Sequence, residues 1–75
     1  MIIDVRNNNE YIQSHLENAI NVPVREINEH LPKLEQYKDK IIIIYCDTGR
    51  RSKTAAIQLK ALGYKHLYVI ENGVN

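Results

Sequence analysis

The 75-residue sequence contains one cysteine, two prolines and three glycines, and it has no long apolar stretch. A single cysteine excludes an internal disulfide, and without a cluster of cysteines and histidines there is no candidate metal site. The longest apolar run, Ile41–Tyr45, is far too short to cross a bilayer. The formal net charge of +1 is too small to argue for nucleic acid or a membrane surface as a partner.

The overall composition is that of an ordinary globular protein, with 44% hydrophobic and 25% charged residues. A chain of this length allows one domain, which we expect to span residues 1–75. The start of the sequence shows no basic segment followed by a long apolar one, so a reducing cytosol is the expected location.

The first half of the sequence predicts strands alternating with short helices. Residues 2–5 form a β-branched strand, and Asn9 is the expected cap of a short helix through residues 10–13. A second strand is predicted at residues 19–22, ahead of Pro23.

A further helical stretch is predicted from the apolar spacing of Ile27, Leu31 and Leu34. Pro32 lacks a backbone donor, so we expect it to split this stretch into two turns.

The second half contains the predicted central strand, Ile41–Tyr45, whose continuous apolar character is typical of a parallel strand covered on both faces. A helix beginning near Arg51 follows, with Ala55, Leu59 and Leu62 on one face and Gly63 at its end. A last strand over residues 66–70 and a turn at 71–73 complete the pattern. Alternating strands and helices predict an α/β fold of three layers around a small parallel sheet.

Cys46 lies where this fold class places its ligands, beyond the carboxyl end of a strand and beside a helix N-terminus. Gly49 is free to adopt a positive φ, so the loop can turn its N–H groups inward around an anion. The helix N-terminus, Arg50 and Arg51 add positive potential, and thiols in such settings titrate below the free value of about 8.5. The alternative is that Cys46 is only a small buried hydrophobe.

Three sequence segments resemble the rhodanese domains, a superfamily of sulfurtransferases and related binding modules. The active loop of single-domain rhodaneses is matched by Cys46, Asp47, Thr48, Gly49, Arg50, Arg51 and Ser52. The family's N-terminal signature is similar to Asp4-Val5-Arg6, Glu10-Tyr11, His15-Leu16 and Ala19-Ile20-Asn21-Val22-Pro23. Its last strand and glycine turn are similar to Gly63-Tyr64 and Val69-Ile70-Glu71-Asn72-Gly73.

The resemblance implies a parallel sheet in which the first two strands pair, the Ile41 strand lies beside the first, and the Leu67 strand lies outside it. It also implies that the Cys46 thiolate accepts a sulfane sulfur from thiosulfate or a persulfide, and that an external thiol, cyanide or a sulfur-relay protein removes it. Residues 47–52 would form the substrate-binding loop. No metal or organic cofactor is needed for this exchange.

Cysteine-dependent phosphatases are the nearest competing interpretation. Their loop is longer and places the arginine one residue later, at the position that Ser52 occupies here. The loop length therefore favours sulfur over phosphate.

Asp4 and Arg6 lie near the same end of the predicted sheet, where they could orient the loop or help to bind a donor. The alternative is a structural ion pair, for instance between Arg6 and Glu10. His15 could carry a proton, although the resembling motif makes a structural role the better interpretation.

Two departures from the family qualify the prediction. The sequence lacks the usual first edge strand and last helix, so residues 67–70 would form an exposed edge that favours a homodimer. Asp47 beside the thiol opposes anionic donors, which predicts that thiosulfate is a poor one. A non-catalytic binding or regulatory module is the alternative to an active sulfurtransferase.

Overall fold

A computed structural model of the protein, in which residues 1–70 are described, contains a four-stranded parallel sheet with strand order β2-β1-β3-β4. The strands are β1 (Ile2–Asp4), β2 (Ala19–Asn21), β3 (Ile41–Tyr45) and β4 (His66–Val69). The helices are α1 (Asn8–Gln13), α2 (Ile27–Leu34) and α3 (Arg50–Ala61), and short 3-10 turns at Val24–Glu26 and Glu35–Tyr37 flank α2. The predicted α/β class and the implied strand order are confirmed.

One face of the sheet, here called the first face, packs against the hydrophobic core. Ile3 pairs in register with Ile44, so both side chains point to this face. They pack with residues of α2 and α3 in one buried cluster, whose members include Val5, Val22, Ile27, Leu34, Ile42, Cys46, Ala55, Leu59 and Tyr64. Cys46 is thus anchored in the core at the carboxyl end of β3.

The second face is covered at its carboxyl end only. Tyr45 is buried there, and its hydroxyl accepts a hydrogen bond from the Leu16 N–H at 3.0 Å, which ties the segment after α1 to this face. Ile41 and Tyr68 are 57% and 58% exposed. The prediction that β3 is covered on both faces is therefore wrong at Ile41, since no residue among 1–70 buries that end of the strand.

Two local predictions in the first half of the chain were wrong. Asn7, not Asn9, is the N-cap of α1, and the Glu10 carboxylate accepts a hydrogen bond from its N–H at 2.9 Å. Pro32 does not split the following stretch but lies inside α2. Burial of Ile27 and Leu34 against the sheet holds that helix together although Pro32 cannot donate a hydrogen bond.

The second half of the chain follows the prediction more closely. Helix α3 ends before Gly63, which adopts a φ of 97° as a left-handed C-terminal residue does. Leu62 is 41% exposed and so does not share the buried face of Ala55 and Leu59. Strand β4 lies at the edge of the sheet, and the turn predicted at 71–73 lies outside the described residues.

Candidate active site

Cys46 follows β3 directly and is fully buried. Its Sγ accepts hydrogen bonds from the backbone N–H groups of Gly49 at 3.0 Å and Ser52 at 3.4 Å. The Ser52 hydroxyl lies 3.5 Å from Sγ. The loop therefore encloses the sulfur atom with donors that suit a negative charge.

Gly49 makes this loop geometry possible. It is the N-cap of α3 and has a φ of 87°, a left-handed conformation that costs a residue with a side chain about 1–2 kcal/mol. Its carbonyl accepts a hydrogen bond from the Ser52 hydroxyl at 2.9 Å, which closes the loop onto the first turn of α3. Gly49 thereby turns its own N–H toward the thiol.

The pKa of Cys46 reflects two opposing effects. Burial raises the pKa, but the hydrogen bond with the Ser52 hydroxyl and those from the N–H groups of Ser52, Gly49 and Thr48 together outweigh burial and lower it. The Ser52 hydroxyl can accept from the thiol and, after ionisation, turn to donate to the thiolate. Hydrogen bonding is thus the physical cause of the lowered thiol pKa.

Arg51 points its guanidinium at two carboxylates. Its Nη1 lies 3.0 Å from Glu10 Oε1, and its Nη2 lies 2.9 Å from Asp47 Oδ1. These contacts lower the pKa of both Glu10 and Asp47 and raise that of Arg51. The charge of Arg51 is therefore balanced next to the loop.

Glu10 is a residue of the site region that the sequence interpretation did not assign. The signal was the Asn7-to-Glu10 spacing of a capping box, which fixes Glu10 in the first turn of α1. From there its carboxylate reaches Arg51, 41 residues later in the chain. A contact between such distant residues depends on the fold and could not be inferred from spacing.

Asp4 and Arg6 form a buried network with Tyr45. Arg6 pairs with Asp4 at 2.8 Å, and not with Glu10 as the example in the sequence interpretation suggested. The Tyr45 hydroxyl donates to Asp4 Oδ2 at 2.9 Å, and Arg6 Nη2 donates to the Ser14 carbonyl at 2.6 Å. Since Tyr45 directly precedes Cys46, this network fixes the end of β3 from which the loop starts.

The Asp4 carboxyl is fully buried, and burial raises its pKa. The hydrogen bonds from Arg6 and Tyr45 outweigh that effect, so the pKa lies below its ordinary value. The ionised form is therefore the one that the fold stabilises.

Three further findings concern the His15 ring, clusters of metal-binding side chains and membrane-spanning helices. The His15 ring stacks on Tyr11 with centroids 3.7 Å apart, which suits a structural role. Within residues 1–70 no group of three acidic, cysteine or histidine side chains could hold a metal ion. Over the same residues no helix combines the length and apolar character needed to cross a membrane.

A groove lies outside the loop, along the exposed side of α3. It has a volume of about 450 Å³ and is lined by Thr48, Gly49, Arg50, Lys53, Thr54 and Ile57. Arg50, unlike its neighbour Arg51, faces this groove. The two adjacent arginines thus serve different sides of the loop.

Three comparisons with known proteins bear on this geometry. The chain is 38% identical over 78 residues to the tRNA uridine(34) hydroxylase of Enterobacter sp. (strain 638), covering 99% of the chain and 22% of the relative. It therefore spans about a fifth of the length of that curated relative.

Among solved structures, a rhodanese from E. coli with bound anions has a TM-score of 0.85 and 34% identity, covering 93% of this chain and 82% of that one. The thiosulfate sulfurtransferase of Pseudomonas aeruginosa has a TM-score of 0.87 and 26% identity, covering 96% of this chain and 14% of that one. The model of the rhodanese-like domain matches residues 1–75. The chain belongs to the rhodanese-like domain family.

Proposed function

We propose that this domain is a sulfurtransferase that carries a sulfane sulfur as a persulfide on Cys46. The observation that supports the proposal most strongly is the pair of N–H groups, from Gly49 and Ser52, directed at the Cys46 Sγ. These donors favour the thiolate, which is the nucleophilic form of cysteine. A cysteine that served only to fill the core would have no use for them.

The reaction proceeds in two displacements. The Cys46 thiolate attacks the outer sulfur of thiosulfate, the sulfur–sulfur bond breaks, and sulfite leaves with the electron pair of that bond. An acceptor thiolate or cyanide then attacks the outer sulfur of the Cys46 persulfide, and the electron pair returns to Sγ. Since Cys46 is the only cysteine of the sequence, the acceptor lies outside these 75 residues.

The loop residues have different roles in these two steps. Gly49 and Ser52 stabilise the negative charge on Sγ before attack and after release of the sulfur. Because Cys46 is fully buried, we expect the segment 47–49 to move away from Sγ when sulfur is loaded. Gly49, with its wide conformational freedom, is the natural point for that movement.

The choice of donor follows from the charges around the loop. Asp47 and Glu10 together carry one more charge than Arg51 neutralises, so the net charge of this group is negative. A divalent anion such as thiosulfate is therefore disfavoured on this side, and a persulfide of lower charge is the better donor.

A second candidate function is a binding or regulatory module without turnover. The observation that favours it is the complete burial of Cys46, which leaves no path to Sγ unless the loop moves. In this role the loop would recognise a partner and the lowered thiol pKa would have no catalytic consequence.

The similarity to part of the tRNA uridine(34) hydroxylases supports a further possibility, that the domain contributes to tRNA hydroxylation within a larger protein. Hydroxylation of uridine removes two electrons and needs an external oxidant such as dioxygen. Hydroxylation of tRNA with such an oxidant by a protein containing this chain, lost in its Cys46→Ser variant, would favour that role.

Intact-protein mass spectrometry tests the proposal directly. The protein and its Cys46→Ser variant are exposed to thiosulfate or to a small persulfide donor. We expect the wild type alone to gain the mass of one sulfur atom and to lose it with cyanide or a thiol. No adduct from either donor, in a sample shown by circular dichroism to be folded, would leave the binding module as the better account.

A further inference from the structure

The groove along α3 starts at the loop that encloses the thiol. Gly49, whose N–H contacts Cys46 Sγ, is one of its lining residues. Arg50, Thr54 and Ile57 continue the lining at helical spacing, so they share one face of α3. From Arg50 to Ile57 the groove follows the helix for about 10 Å.

The residues that line the groove have a definite chemistry. Arg50 places a cation at the loop end of the groove, and no carboxylate is among the described residues that line it. Ile57 is 72% exposed, which is high for a large apolar side chain beside a reactive site. The groove therefore suits a ligand with negative charge near the loop and an apolar group farther along α3.

The length of the groove indicates the size of that ligand. A small inorganic anion would be held at one end, whereas an extended peptide covers about 10 Å with three residues. The volume of about 450 Å³ lies in the range of sites that hold ligands of this size.

We propose that this groove binds an acidic segment of a partner polypeptide whose thiol exchanges sulfur with Cys46. The partner cysteine lies at the Gly49 end, an acidic neighbour contacts Arg50, and an apolar residue packs on Ile57. This inference rests on the proposed sulfur transfer for its chemistry, but the binding itself does not require transfer.

RNA is a weaker fit to the same surface. A single-stranded RNA site needs a longer row of cations and aromatic side chains on which bases stack. The groove is lined by two cations and no aromatic residue among the described part of the chain. The formal net charge of +1 supplies no further attraction for a polyanion.

Binding is measured first, with peptides that cannot react. The probe is a fluorescently labelled, end-blocked Ser-Asp-Glu-Leu peptide. The control is the uncharged peptide Ser-Asn-Gln-Leu with the same label and blocked ends. We expect the acidic peptide to bind about tenfold more tightly at low salt, and to lose that preference as salt is raised. Equal affinity of the two peptides would overturn the proposal.

Two matched variants locate the binding. Ile57→Glu places a negative charge in the groove, and Ile12→Glu places the same charge on α1 at a residue of nearly equal exposure, 72% against 70%. We expect Ile57→Glu to weaken the acidic peptide about tenfold and Ile12→Glu to leave it unchanged. Equal effects of the two variants, or displacement of the peptide by a lower concentration of uridine-rich RNA, would contradict the assignment.

The transfer step is measured separately. Cys46 loaded with one sulfur is mixed with Cys-Asp-Glu-Leu or Cys-Asn-Gln-Leu, and loss of the sulfur is followed by mass. We expect faster discharge to the acidic peptide in the wild type and in Ile12→Glu, but not in Ile57→Glu. Failure to load Cys46 would count against sulfur transfer alone, since the serine peptides still decide whether the groove binds.

Discussion

The two sides of the Cys46 loop differ in how their charges are used. On the inner side, the N–H groups of Gly49 and Ser52 and the Ser52 hydroxyl face the sulfur. On the outer side, the Arg51 guanidinium lies between Glu10 and Asp47. The Arg51 cation is thus already paired with carboxylates, and hydrogen bonds from the Ser52 hydroxyl and from backbone N–H groups lower the thiol pKa.

This difference means that ionisation of the thiol and attraction of the donor are controlled by different residues. The inner side decides how much thiolate is present, whereas the outer side decides which donors approach and how the loop is held against α1. Substitutions on the two sides should therefore change different measured quantities.

The largest effect is expected from Gly49→Ala on the inner side. An alanine at a φ of 87° is strained by about 1–2 kcal/mol, and relief of that strain would turn the N–H away from Sγ. We expect the pKa of Cys46 to rise, so that the midpoint of its alkylation rate with iodoacetamide moves to higher pH and the rate at pH 7 falls about tenfold.

Gly63→Ala is the matched control for this variant. Gly63 has a similar φ of 97° but lies at the other end of α3, so it should lose stability without a change in thiol reactivity. A midpoint in Gly49→Ala equal to that of the wild type would show that the Gly49 N–H is not needed for the thiolate.

Ser52→Ala should have a smaller effect in the same direction. The variant keeps the backbone N–H that donates to Sγ but removes the hydroxyl that lies 3.5 Å away. We expect the pKa of Cys46 to rise, so that the midpoint of its alkylation rate moves to higher pH and the rate at pH 7 falls about fivefold. A pH profile that matches the wild type would exclude a role for the hydroxyl.

Asp47→Asn tests the outer side and should change donor preference instead. Loss of this carboxylate removes a negative charge beside the loop. It also breaks the ion pair of Arg51 with Asp47 and leaves the pair with Glu10. We expect sulfur loading from thiosulfate to accelerate about threefold relative to a neutral persulfide donor.

Asp39→Asn is the control for Asp47→Asn because Asp39 is a surface residue paired with Lys65. It removes the same charge from the protein at a distance from the loop. If both variants accelerate thiosulfate equally, the effect comes from net charge and not from the outer side of the loop.

Glu10→Gln should have the smallest effect, and mainly on stability. Hydrogen bonds from Arg51 and from the Asn7 N–H lower the pKa of Glu10, so the ionised form favours the folded state. We expect a loss of about 1 kcal/mol at neutral pH, a modest figure because the pair is partly exposed.

The direction of the Glu10 pKa shift determines how the loss of stability in Glu10→Gln depends on pH. Because the folded-state pKa of Glu10 is lowered, the stabilisation is present above its ordinary pKa and disappears as pH falls through the lowered value. Urea unfolding of wild type and Glu10→Gln at pH 7 and at acid pH measures it. A difference that persists at acid pH would contradict the ion-pair explanation.

Apart from the strand order, which the family resemblance implied, the parts of the fold that the sequence predicted are those encoded locally. The β-branched run Ile41–Tyr45, the glycine after α3 and the alternation of strands and helices each act over a few residues. The start of the loop could be placed for the same reason, because Cys46 and Gly49 follow a strand and precede a helix.

The parts that the sequence did not predict depend on contacts between distant segments. Arg51 is paired with Glu10, and Tyr45 connects Asp4 to the backbone of Leu16, across separations that no spacing rule covers. The continuity of α2 through Pro32 likewise depends on burial of the helix against the sheet. Local propensity gave the wrong answer there because tertiary packing opposed it.

The pH dependence of Cys46 alkylation in the wild-type protein tests the central claim most directly. Rates with iodoacetamide are measured from pH 5 to pH 10 and compared with those of a short unstructured peptide that contains one cysteine. The peptide should show a midpoint at about 8.5, the value of a free cysteine. Hydrogen bonds from the inner side of the loop predict a lower midpoint for the protein, so that reactivity is lost only as pH falls through the lowered pKa of Cys46. A midpoint at or above that of the peptide would show that burial prevails over the hydrogen bonds and would contradict the account of Cys46 as the nucleophile.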